Sequence, residues 1–108
     1  MTNYNFLNAG KIDFLEIAKS IIKSHLAAYP GTKACIFGSR ARGTARLGSD
    51  LDIGLWRTDG QPVSLFVQGT LKDEIEESIV PYNIDVVDIG SADSAFRQRV
   101  LADAVNVI

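Results

Sequence analysis

Cysteine and histidine are almost missing from these 108 residues, with one of each, Cys35 and His25. A single thiol makes no internal disulfide and no cysteine-based zinc cluster, and a reducing cytoplasm is the simplest home for it. A single imidazole leaves a histidine zinc site or a serine–histidine–aspartate triad without support. Long apolar runs are missing too. The longest has four residues, at 26–29 and again at 34–37, which excludes a membrane-spanning helix and a signal-peptide core. Positive charge is not in surplus: 11 Lys and Arg face 13 Asp and Glu, for a net charge of −2. That balance argues against tight nonspecific nucleic-acid binding. The 9 glycines and 3 prolines are scattered, with no repeat, linker or low-complexity block. What remains is 46% hydrophobic and 22% charged, close to globular averages, and one compact domain over residues 1–108 is expected.

Apolar periodicity predicts a helix over 13–28. Phe14, Ala18, Ile21 and His25 form its stripe, Asp13 and Glu16 have the spacing of a capping box, and Pro30-Gly31 ends it. His25 on that inner side is better explained by packing than by catalysis. The short apolar run 33–37 predicts a buried strand in which Cys35 is a small core residue. Residues 38–49 predict a loop with one helical turn. A second strand follows over 51–56, and a second helix over 64–79, where Val67, Leu71, Ile75 and Ile79 step by four. Gly69 marks a kink or a close contact in that helix. A third strand is predicted over 84–89, then a helix capped by Ser91 and running to about 102, then a short edge strand over 105–108. Strands alternating with helices give an α/β fold, a small mixed β-sheet with helices mainly on one face.

Acidic residues interrupt these apolar strands. Asp50 and Asp52 are two apart, so in an extended chain they point one way while Leu51, Ile53 and Leu55 point the other. At roughly 7 Å two such charges repel by about 2 kcal/mol in an intermediate dielectric. A divalent cation between them turns repulsion into binding, and carboxylate oxygens suit hard cations. A solvated strand end would account for the pair alone. In the third strand Asp85 and Asp88 differ in parity, so at most one joins the pair. Asp85, flanked by Ile84 and Val86, is the better candidate; Asp88, nearer the end, suits a capping role.

Gly38-Ser39 follows the first strand directly, with Arg40, Arg42 and Arg46 close behind. Glycine lets backbone approach an anion, and amides, hydroxyl and guanidinium forks bind phosphate oxygens. Commoner phosphate motifs fail. The Gly38–Gly43 spacing opens like a Walker A loop, but Thr44 and Ala45 stand where Lys and Ser/Thr are required, and no G-x-G-x-x-G occurs.

Gly38-Ser39, a ten-residue gap, Asp50-Leu51-Asp52 and a later strand-borne Asp85 together resemble the minimal nucleotidyltransferases (MNT) of the DNA polymerase β-like superfamily. The likeness extends through Arg40-Ala41-Arg42-Gly43 and Ser49 to Ile53, and covers the chain from the first helix to Arg97-Gln98-Arg99. It implies the polymerase β-like nucleotidyltransferase fold. It also implies that Asp50, Asp52 and Asp85 are the catalytic and metal-holding residues, with two Mg²⁺ ions, and that ATP is the donor of AMP. Gly38 and Ser39 would contact the β- and γ-phosphates, with Arg40 or Arg42 adding charge-assisted contacts. Asp85 would also help deprotonate an acceptor hydroxyl. Small members of this family are the antitoxin half of toxin–antitoxin pairs, and neutralise a HEPN-type ribonuclease partner by adding AMP to a tyrosine or by binding it. Two other roles fit the same residues: a binding module that blocks its partner without catalysis, and the nucleotide-binding subunit of a two-chain small-molecule nucleotidyltransferase.

Overall fold

Helix α1 begins where Asp13 caps it. In the computed structural model, which describes residues 12–108, the Asp13 carboxylate accepts from the Leu15 and Glu16 amides, and α1 spans Phe14–Leu26. Glu16 turns to Lys19 at 2.9 Å, so the cap works in one direction. The buried line is Ala18, Ile22 and Leu26, an i, i+4, i+8 row; Phe14, Ile21 and His25 lie half-buried at its margin. His25 is committed to packing α1 on a later helix. Its Nδ1 lies 2.6 Å from Glu74 Oε1 and its Nε2 3.1 Å from Thr70 Oγ1.

Strand β1 (Thr32–Phe37) leads into a single turn, α2 (Ser39–Arg42), and the chain returns as β2 (Leu51–Arg57), antiparallel to β1. Helix α3 (Leu65–Glu76) then crosses over, and β3 (Ile84–Asp88) comes back parallel to β2. A parallel neighbour needs such a crossover. A 3₁₀ turn (Ile89–Ser91), helix α4 (Ser94–Asp103) and the two-residue β4 (Val105–Asn106), antiparallel to β1, complete the described chain. The sheet order is β3-β2-β1-β4.

Strand alternation divides the core. Ala34, Ile36, Leu51, Ile53, Leu55 and Ile84 pack against α1 and α3 through Ile22, Leu26, Leu71 and Ile75. On the opposite face Cys35 joins Ile89 and Val100, bordered by Phe37, Trp56, Val87 and Phe96. That face carries α4 and the 3₁₀ turn, and Trp56 packs against this second cluster. The two long helices therefore share one face, and α4 only partly covers the other.

Three local expectations are corrected. Helix α3 is capped by Ser64, whose hydroxyl accepts from the Val67 amide, but it ends at Glu77. Ile79 falls beyond the last turn and is 66% exposed, while Val80 takes the core position. Helix α4 is capped by Asp93, which accepts from the Phe96 amide at 2.9 Å; Ser91 belongs to the preceding 3₁₀ turn and donates to Asp88. Gly69 is not a close contact, since a Cβ built there meets nothing within 4 Å, and the helix runs through it without a break. Replacing it with alanine adds no clash and removes unfolded-state freedom. Gly69→Ala is expected to stabilise the protein by about 0.5–1 kcal/mol, read as a higher urea midpoint at constant m-value.

Candidate active site

The β2–β3 pairing decides which carboxylates meet. Asp52 is in register with Asp85 on the parallel neighbour, and with Phe37 on the other side. In-register residues of adjacent strands share a face about 4.8 Å apart. Asp50 lies two residues before Asp52, at the mouth of the strand. Both neighbours bear on Asp52: its carboxyl is pushed above the usual carboxylate range, first by burial, then by repulsion from Asp85 and Asp50, with Arg42 pulling the other way. Asp50 and Asp85 are exposed and Asp52 is half-buried, so the acidic end opens to solvent.

Asp88 is in register with Leu55, on the helix-covered face. It accepts from the Val63 amide at 2.9 Å, from the Gly90 and Ser91 amides at 3.1 and 3.3 Å, and from the Ser91 hydroxyl at 2.8 Å. This carboxylate organises the start of α3 and the turn after β3. The parity that separates it from Asp85 gives the two aspartates separate tasks.

Gly38 holds the other wall. Its backbone has φ +75°, in the region that favours glycine, and a Cβ there would collide with Asp52 Oδ2. Glycine is thus required twice, by the backbone and by the carboxylate seated against it. The amides of Ala41 and Arg42 close the α2 turn onto the Gly38 carbonyl, each at 3.1 Å. The first amides of any helical turn lack partners inside it, and those of Ser39 and Arg40 are the first amides of this one.

The loop arginines divide. Arg40, one of the two candidates for a phosphate contact, braces the loop. Its Nε and Nη2 donate to the Ser49 carbonyl at 3.2 and 2.8 Å, and its Cζ stacks 3.5 Å from the centre of the Tyr82 ring. It thereby fixes the backbone immediately before Asp50, and it is not among the charges that bear on Asp52. Arg42 does bear on Asp52, while its Nη1 donates to Asp103 Oδ2 at 3.1 Å. Sequence reasoning missed the second role of Arg40, since no local pattern reveals a carbonyl nine residues away.

Among the described residues no three His, Cys, Asp or Glu side chains converge into a ready-made metal cage. The donor set nevertheless suits Mg²⁺, a hard cation commonly bound by one or two carboxylates together with substrate phosphates rather than by protein alone. The like-charge crowding at Asp52 is the strain that such a cation relieves. No helix among the described residues is long and apolar enough to cross a membrane.

The family profile described as polymerase beta, nucleotidyltransferase, matches residues 11–108. The chain belongs to that family, and nucleotidyl transfer is its chemistry. It is 30% identical over 98 residues to the "Probable protein adenylyltransferase MntA" of Haemophilus influenzae, covering 91% of this chain and 81% of that protein. A solved structure described provisionally as a minimal nucleotidyltransferase superposes with a TM-score of 0.69 at 29% identity, over 87% of this chain and 95% of the other. The fold is also that of a chain in the complex of tri-AMPylated Shewanella oneidensis HEPN toxin with its MNT antitoxin, with a TM-score of 0.62 at 19% identity over 86% and 71% of the two chains.

The raised Asp52 pKa has a thermodynamic consequence. Protonated Asp52 is favoured in the folded state, so its contribution to stability is fully present below the unfolded value, near 3.9, and is lost as pH rises through the higher folded value. At neutral pH the ionised carboxylate is a net burden on the metal-free protein. Asp52→Asn is therefore expected to raise the melting temperature at pH 7, with the gain vanishing as pH falls below the carboxylate range. Thermal melts across pH in the presence of a chelator measure it.

Proposed function

We propose that this protein is a Mg²⁺-dependent adenylyltransferase that moves AMP from ATP to a hydroxyl on a HEPN-type toxin, the acceptor being a tyrosine, and so acts as an antitoxin. The observation that carries this reading is the register of Asp52 with Asp85 across parallel strands, beside a glycine that has room for no side chain. Family membership supplies nucleotidyl transfer. The likeness to MntA favours a protein acceptor, and the fold shared with an MNT antitoxin favours a HEPN partner.

Each residue then has a task. Asp50, Asp52 and Asp85 would hold Mg²⁺, which when bound neutralises charge on the α-phosphate and the departing pyrophosphate. The acceptor oxygen forms the new bond to the α-phosphorus, the bond from that phosphorus to the β-bridging oxygen breaks, and pyrophosphate leaves. Asp85, exposed on the outer strand, takes the acceptor proton. Gly38 and Ser39 offer amides and a hydroxyl to the β- and γ-phosphates. Arg42 adds a charge-assisted contact to the same group, while Arg40 keeps Asp50 in place.

The test is incubation with α-phosphate-labelled ATP, Mg²⁺ and the product of the neighbouring gene. Label on the partner and released pyrophosphate are expected, with at least a hundredfold loss in Asp50→Ala, Asp52→Ala and Asp85→Asn. Undiminished neutralisation of the partner by all three variants would show blocking by binding instead. Asp88→Asn separates positioning of the fold from chemistry. It should keep most of the transfer activity while lowering stability by about 1 kcal/mol, because an amide cannot reproduce the carboxylate's acceptor set.

A further inference from the structure

Asp50 stands just outside the sheet. Pairing of β2 begins at Leu51 with β3 and at Asp52 with β1, and Asp50 is exposed, so neither the ladder nor burial sets where its carboxylate points. The peptide groups on either side of it do. Each peptide group is planar, and φ and ψ are the soft dihedrals between two such planes. Holding both flanking planes therefore holds the Cα–Cβ bond of the residue between them.

Both planes are held, and both holds lead to one short segment. The peptide before Asp50 carries the Ser49 carbonyl, which accepts from Arg40 Nε and Nη2 at 3.2 and 2.8 Å. The peptide after it carries the Leu51 amide, which donates to the Asn83 carbonyl at 2.8 Å. Asn83 contributes backbone, which any residue would offer. Its neighbour Tyr82 contributes a side chain: the Arg40 guanidinium carbon lies over the ring, 3.5 Å from its centre, a contact that limits where the fork can go. The ring is itself fixed. Phe14 of α1 meets it edge to face at 6.1 Å, and it packs half-buried against the main core. Ser49 is also bonded to Arg46, amide to carbonyl and hydroxyl to amide, each at 2.9 Å. Those bonds shape the loop internally, whereas the stack of Arg40 on Tyr82 ties it to the entry of β3.

We propose that Tyr82 is a positioning residue for the carboxylate of Asp50, acting through Arg40 with its ring rather than its hydroxyl. The inference rests on the adenylyltransferase reading, in which Asp50 holds Mg²⁺, and adds a residue that acts at one remove from the reacting groups. Groups that orient a metal ligand from behind commonly govern metal affinity.

Two measurements on the full chain test this. Hydrogen exchange reads the clamp without metal or substrate: in Tyr82→Leu the Leu51 amide is expected to exchange about tenfold faster relative to the other β2 amides, while Tyr82→Phe matches the unaltered protein. Label transfer to the product of the neighbouring gene reads the consequence. The free Mg²⁺ giving half-maximal rate is expected to rise about tenfold in Tyr82→Leu, with the rate at saturating Mg²⁺ kept within about twofold and Tyr82→Phe unaffected. Arg40→Met leaves the ring in the core and is expected to reproduce the Mg²⁺ shift; it decides the matter should Tyr82→Leu lose its fold. A Phe variant as impaired as the Leu variant would overturn the part given to the ring. An unchanged Mg²⁺ requirement in Tyr82→Leu and Arg40→Met, when the unaltered protein transfers label, would overturn the role of Tyr82 and leave the adenylyltransferase reading standing. Absence of transfer by the unaltered protein would remove that reading, and the metal role of Asp50 with it.

Discussion

Like charges forced together are the constraint on which the rest depends. Asp52 is squeezed between partial burial and two neighbouring carboxylates, and among the described residues Arg42 offsets this only in part. Each surrounding feature keeps that arrangement in place. The α3 crossover makes β3 parallel to β2 and sets Asp85 level with Asp52. Gly38 gives up its side chain so that the carboxylate has room. Arg40 ties the Ser49 carbonyl and so holds the backbone from which Asp50 projects. A fold that tolerates such crowding has an unsatisfied demand for positive charge, which under the proposed function a metal-bound triphosphate would supply.

Parity explains how one strand serves two purposes. Asp85 and Asp88 are three residues apart, which in a strand means opposite faces. One carboxylate therefore stays free for chemistry, while the other gathers four donors from α3's approach and the 3₁₀ turn. Both are aspartates in apolar surroundings. Only their phase relative to Asp52 tells them apart, and that phase is read from register rather than from composition.

Much of this was legible in the chain alone. The order of elements, the shared face of Asp50 and Asp52, the parity that separates Asp85 from Asp88 and the glycine that follows the first strand follow from periods of two and four and from residue chemistry. Boundaries were less legible, because they turn on competition between nearby caps: Asp93 outbids Ser91 for α4, and the Glu77 turn ends α3 before Ile79 can use its helical spacing. The long-range partners were not legible at all. Arg40 finds a carbonyl nine residues on and an aromatic ring beyond it, and His25 finds Glu74 and Thr70 across a helix interface. Such pairs are set by how elements dock, which local patterning does not encode.

The two sides of the acidic row are unlike, and that asymmetry bears on what the acceptor is. Toward β1 the row meets Gly38, the α2 turn, Arg42 and the flank of α4, a walled region suited to the donor's phosphates. Toward β3 it meets an outer strand: among the described residues β3 pairs only with β2, and Asp85 on it is exposed. The described residues build no wall past that edge that could orient a small acceptor. Transfer gains much of its rate from holding both reactants in place, so the missing wall has to arrive with the acceptor. A hydroxyl presented on the surface of a folded partner brings its own positioning, docked against the β3 edge, whereas a free small molecule would bring none. Under the proposed function, the open edge of the described residues is better matched by a macromolecular acceptor than by a free small molecule.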